Sequence, residues 1–150
     1  MANKSMMFGR STEYLVISKF LGEGREVYVP PVDDHGVDLI VVPQDSCTNL
    51  EKSVAYQEIQ VKSKAKDGQF SAIACPNPRE NYWFIFYVKS IDTFWIINSE
   101  EFVSIASKNV KGKHIDKYSF SLASKTKQGL KPNPKYSKYI VKDFSVIPIP

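Results

Sequence analysis

Three residues of this chain, Asp38, Gln60 and Lys62, have the types and spacing to work on a phosphate ester. The segment Gly36-Val37-Asp38-Leu39-Ile40-Val41 places one carboxylate at the mouth of an apolar strand. About 20 residues later comes Glu58-Ile59-Gln60-Val61-Lys62. Side chains alternate along a strand, so Glu58, Gln60 and Lys62 share one face while Ile59 and Val61 turn into the core. If the polar face met only solvent, the pattern would be ordinary amphipathic sequence. If it meets Asp38 on a neighbouring strand, the group is a site. Magnesium takes hard oxygen ligands and keeps several waters, so a small donor set suffices. Asp38, the Gln60 side-chain oxygen and the Val61 carbonyl can supply it, with Glu58 a further carboxylate on the same face. Lys62 can then contact the scissile phosphate and the attacking water, offsetting negative charge in the transition state.

These residues need rigid elements to hold them. A helix is expected from about Gly9–Ser11, with Ser11 as its N-cap, Tyr14, Ile17 and Leu21 as its apolar stripe, Val16 and Phe20 widening that stripe, and Gly22 and Gly24 as its stop. Strands are predicted at Arg25–Val29, Val37–Val42 and Ala55–Ser63. A polar loop, Gln44–Ser53, separates the last two. A turn at Asp67–Gly68 and a short helix follow. Tyr82–Val88 (YWFIFYV) is apolar on both faces and too short for a typical helix, so it reads as a buried central strand. Phe94–Ile97 is its hairpin partner. Asn98 and Glu101 have the spacing of a capping box and open a second helix. The tail offers a strand at Tyr118–Leu122 and a helix near Tyr136–Lys142. The expected fold class is α/β, with one sheet covered by helices.

Glu13 in the first helix, GVDLIV and EIQVKS together resemble the PD-(D/E)xK, or restriction-endonuclease-like, superfamily. The later strands, FIFYV and FWIIN, are similar to the second half of that core. The likeness covers residues 8–107 of a single domain spanning 1–150 and leaves 108–150 as a basic extension. It implies a central mixed β-sheet flanked by helices and a metal-dependent endonuclease that hydrolyses phosphodiester bonds in DNA. It implies Asp38 and Gln60 as ligands of Mg²⁺ or Mn²⁺, and Lys62 as the catalytic lysine. It adds Glu13, as in members similar to Holliday-junction resolvases. Gln60 is a departure, because the commoner residue there is acidic. Nucleases of this fold often dimerise to cut two strands, which brings a homodimer into the expectation.

The charge is uneven. Residues 1–107 carry ten basic and fourteen acidic residues, whereas 108–150 carry ten lysines against Asp116 and Asp143. Such a block can attract a polyanion. Lys125, Lys127, Lys131, Lys135 and Lys138 are the expected phosphate contacts, with Lys64 at the end of the motif strand. Ser63 and Ser71 are further candidates for the DNA path. His35 reads as a loop histidine beside the site, and His114 as surface. Cys47 and Cys75 form no CxxC pair, which argues against structural zinc and suits a reducing, cytoplasmic compartment. No apolar run approaches the roughly 18 residues of a membrane span. Two other readings stand beside the nuclease: a catalytically weak or inactive nucleic-acid-binding module, and an accessory protein whose polar strand face meets a partner chain.

Overall fold

A computed structural model describes residues 3–32, 35–42 and 56–148. Helix α1 (Lys4–Gly22) leads, followed by β1 (Glu26–Tyr28), β2 (Leu39–Val42), β3 (Gln57–Lys64), β4 (Gln69–Ile73), β5 (Tyr82–Val88) and β6 (Thr93–Asn98). Helix α2 (Ser99–Ile105), β7 (Ser107–Lys108), β8 (Tyr118–Ser121), β9 (Ala123–Thr126), β10 (Gly129–Pro132), a 3₁₀ turn at Pro134–Tyr139 and β11 (Ile140–Val141) complete the chain.

Six strands form the central mixed sheet, in the order β1-β2-β3-β5-β6-β11. β3 and β5 are its parallel pair, and the other neighbours run antiparallel. The crossover from β3 to β5 passes through β4, which joins β8 and β7 in a three-stranded sheet. The chain is thus an α/β protein whose mixed sheet carries α1 on one face, with α2 and the small sheet on the other.

The reason lies in the side chains of β5 and β3. Tyr82–Val88 is apolar on both faces, so both faces must be covered. Ile85 and Tyr87 pack with Ile59, Val61, Leu39 and the α1 residues Val16 and Phe20. Phe84, Phe86 and Val88 pack with Phe102 of α2, Phe70 of β4 and Phe120 of β8. Phe120 meets Phe86 and Phe102 edge-on, at centroid distances of 5.0 and 5.4 Å. Each buried phenylalanine stabilises the fold by about 1.5–3 kcal/mol through area alone.

Four local expectations need correction. Helix α1 starts at Lys4, because Asn3 takes the N-cap by accepting the Ser5 N–H, while the Ser11 hydroxyl bonds back to Phe8 O at 2.8 Å. Of its expected stripe, Val16 and Phe20 are buried, joined by Thr12, and Ile17 packs beside them, whereas Tyr14 and Leu21 face outward at 60% and 56% exposure. Apolar residues ring this helix, so spacing alone did not fix the edges of that face. The element expected as a short helix after the Asp67–Gly68 turn is strand β4. Asn98 does cap α2 through the Glu100 N–H, but Glu101 bonds Tyr139 and Lys138 instead of closing a capping box. The predicted Gln44–Ser53 loop lies outside the described residues.

The basic tail is woven into the core. β11 pairs with β6 at the edge of the central sheet, and Phe144 and Ile147 are 1% and 0% exposed against α1. Tyr136 and Tyr139 join the opposite core. The tail's expected helix near Tyr136–Lys142 is the 3₁₀ turn followed by β11.

Candidate metal and phosphate site

Strand β2 meets β3 with Leu39 opposite Ile59 and Ile40 opposite Glu58. Leu39 and Ile59 share the α1-side core. Alternation therefore turns Asp38 and Ile40 to the other face, the one that carries Glu58, Gln60 and Lys62. Asp38 sits one residue before the paired segment, where the two strands separate. Its N–H donates to Ile59 O at 2.9 Å, and its carboxylate accepts the Val61 N–H at 2.6 Å. Asp38 thus grips the backbone on both sides of Gln60. In a strand a residue's N–H and C=O leave on the same edge, so the Val61 carbonyl points along the edge where Asp38 stands.

Gln60 is 8% exposed and Lys62 is half-buried beside Phe86 of β5. Among the described residues Lys62 has no carboxylate partner within ion-pair distance. Glu58 is committed elsewhere: its carboxylate takes the Arg79 guanidinium at Nε (2.6 Å) and at Nη2. Glu13 lies on α1, on the other side of the sheet, next to the buried stripe. Its carboxylate bonds Arg10 at 2.5 Å. Lys64 closes β3 and is half-buried. Exposed His35 has φ +68°, which suits the tight entry to Gly36 and Asp38.

The donor types fit a hard divalent cation: the Asp38 carboxylate and the Val61 carbonyl on one edge of β3, and the Gln60 amide on the adjoining face. The donor set is lean in charge. No group of three or more His, Cys, Asp or Glu residues suited to a metal occurs among the described residues. With Glu58 neutralised by Arg79, the site depends on Asp38 for its anionic ligand.

This fold has a solved counterpart. The chain is similar to the bacterial homing endonuclease I-Ssp6803I, at 19% identity and a TM-score of 0.54, over 92% of this chain and 89% of that one. No family model and no curated protein matches. At that identity the likeness establishes a shared fold, and its span includes the tail as well as the expected core.

The lysines of the tail occupy two places. Lys125, Lys127 and Lys131 are exposed on the two-stranded ribbon of β9 and β10. The register sets Lys125 opposite Leu130 and Lys131 opposite Ser124, so Lys125 and Lys131 stand on opposite faces. Lys135 and Lys138 are exposed on the 3₁₀ turn, where Lys138 pairs with Glu101 at 2.9 Å. Leu122, at the root of the ribbon, donates its N–H to Gly68 O at 2.9 Å. A Cβ on Gly68 would stand 2.4 Å from Ala123 N, so only glycine admits this approach. The ribbon therefore springs from the turn that follows Lys62 and Lys64.

Three further residues shape the site: Arg79 and Tyr82, which lie outside the motif, and Gly36, which opens it. Arg79 holds Glu58, lies over the Tyr82 ring at 4.4 Å, and is tied by its backbone to the Ser99 hydroxyl at the start of α2. The Tyr82 hydroxyl reaches Gly36 O and Gln60. Gly36 has φ +73°, and a Cβ there would stand 2.8 Å from Gln60 Nε2. A phenol at the head of the YWFIFYV run, one of two in it, was the available signal for Tyr82. Arg79 left none, because its partner is set by the crossover.

Proposed function

We propose that this protein is a metal-dependent endonuclease that hydrolyses phosphodiester bonds in DNA. The observation that carries the reading is the grip of Asp38 on the backbone either side of Gln60, with Lys62 one alternation further along the same face. The fold shared with a homing endonuclease supports it. In this reading Asp38, Gln60 and the Val61 carbonyl hold Mg²⁺ or Mn²⁺. The bound cation would polarise the phosphate and activate water. Lys62 is the catalytic lysine. Its ammonium sits against the non-bridging phosphate oxygens and offsets their growing charge. Glu13 is paired with Arg10 on the α1 side of the sheet, across from the face that carries Asp38, Gln60 and Lys62, so this reading gives it no contact with the attacking water. Glu58 acts through Arg79 to brace the strand.

Lys125, Lys127 and Lys131 contact phosphates from the ribbon, and a two-stranded ribbon is of a size the major groove admits. Lys135 and Lys138 extend that surface, and Lys64 contacts the backbone next to the site. Two copies would serve the two strands of a duplex.

The test is cleavage of a randomised duplex library, with junction and single-stranded DNA in parallel, in Mg²⁺ and in chelator. We expect new ends only with wild-type protein and Mg²⁺, and none with Lys62→Ala. Ends produced equally by Lys62→Ala or in chelator would refute the reading. Salt-dependent binding without cleavage on any DNA form would favour the binding-module alternative.

A further inference from the structure

We infer that Tyr82 is a positioning residue that fixes which end of the Gln60 amide faces the site, and so makes Gln60 a ligand oxygen. The inference rests on the metal reading above and adds a residue to it.

Tyr82 is 2% exposed, and its hydroxyl stands 3.0 Å from Gly36 O and 3.1 Å from Gln60 Oε1. A phenol has one proton to give. Gly36 O is a carbonyl and can only accept. The Gln60 amide has a donor end and an acceptor end of nearly the same shape, so the hydrogen-bond network decides between them. With Oε1 toward Tyr82, two acceptors compete for one proton. With Nε2 toward Tyr82, both bonds form: Tyr82 O–H donates to Gly36 O, and Gln60 N–H donates to the Tyr82 oxygen. Two bonds against one favour the second arrangement in a buried setting, where an unsatisfied polar group is costly.

The remaining end of the amide is what a ligand meets. It makes no hydrogen bond to the described residues and is not sealed from solvent. An NH₂ there would repel a cation, whereas an oxygen would bind one. Gly36 leaves room for that end, since a Cβ would collide with it. The proton count at Tyr82 thus decides whether the Gln60 position can substitute for an acidic residue.

The test is a double-mutant cycle read by calorimetric titration with Mn²⁺. Residues that orient a metal ligand typically account for about 10–100-fold in metal affinity, so Tyr82→Phe should weaken Mn²⁺ binding about tenfold. A carboxylate has no wrong end. In a Gln60→Glu background, Tyr82→Phe should therefore change the Mn²⁺ affinity by no more than about twofold. Equal losses in both backgrounds would mean a merely structural role and overturn the inference. So would an unchanged affinity in Tyr82→Phe. A wild type that binds no Mn²⁺ would overturn the metal reading and this inference with it.

A second measurement needs no variant at position 82. With ¹⁵N-glutamine labelling, the Gln60 side-chain NH₂ should show nuclear Overhauser contacts to the Tyr82 ring. Contacts to the Gly36 α-protons instead would overturn the inference.

Discussion

Replacing Asp38 separates its two duties, one to the fold and one to the cation. Its bond to the Val61 N–H is 2.6 Å long and partly buried. Hydrogen bonds to charged groups contribute about 1.5–3 kcal/mol, and an orphaned buried N–H costs about 1–3 kcal/mol. Asp38→Ala should therefore lose about 1–3 kcal/mol of stability. In a domain of this size that lowers Tm by about 3–10 °C. Asp38→Asn keeps an oxygen toward Val61 and should lose under about 1.5 kcal/mol. Both variants lack the anionic ligand. Mn²⁺ at about 100 times its Kd would stabilise the wild type by about 2.7 kcal/mol. That corresponds to a Tm rise of about 5–10 °C. The assay is a set of thermal melts of the three proteins, each with and without Mn²⁺. The wild type should shift and neither variant should. An Asp38→Asn protein that keeps the full shift would show that Asp38 is not the ligand. An Asp38→Ala protein melting with the wild type would show that the Val61 bond does not hold β2 to β3.

Changing Lys125, Lys127 and Lys131 to Gln should reduce the log–log salt slope of DNA binding by about 0.9 for each phosphate that is no longer neutralised; an unchanged slope in filter-binding titrations would leave the ribbon a solubilising surface. Phe144→Ala should cost about 3–5 kcal/mol in denaturant titrations, because a fully buried aromatic is removed from between the tail and α1. A cost near zero would mean that the tail is dispensable. The Tyr139 hydroxyl, and then Lys138, hold the Glu101 carboxyl below its ordinary value of 4.5. A carboxyl depressed in the folded state adds stability above its unfolded pKa and loses it as pH falls through the folded one. Glu101→Gln should therefore melt below the wild type at pH 7 and converge with it in acid; a pH-independent difference would contradict that linkage.

Much of the fold was legible because both faces of Tyr82–Val88 are apolar, which demands cover on both sides. The alternation Glu58-Ile59-Gln60-Val61-Lys62 gave the β3 faces, since Ile59 and Val61 enter the α1-side core. The buried face of α1 was legible at Val16 and Phe20, but Tyr14 and Leu21 are apolar too and face outward, so spacing did not fix its edges. β4 was hidden for another reason: Gln69–Ile73 is short, has a register shift between Phe70 and Ile73, and contains Ala72 at φ +57°. Its partner, β8, lies some fifty residues away in sequence, so no local signal selects it. Long-range pairing also hid the Glu58–Arg79 ion pair and the link from Tyr82 to Gly36. The tail carried its charge openly, but Phe144 and Ile147 gave no periodicity that would place them under α1.

The most direct test of the central claim is an anomalous difference map from crystals grown with Mn²⁺. The account predicts a peak bounded by the Asp38 carboxylate, the Gln60 oxygen and the Val61 carbonyl, at about 2.0–2.3 Å from each, close to the distances of hard divalent cations. A protein that binds Mn²⁺ only at other carboxylates, with Asp38 still turned to the Val61 N–H and no density beside Gln60, would contradict it.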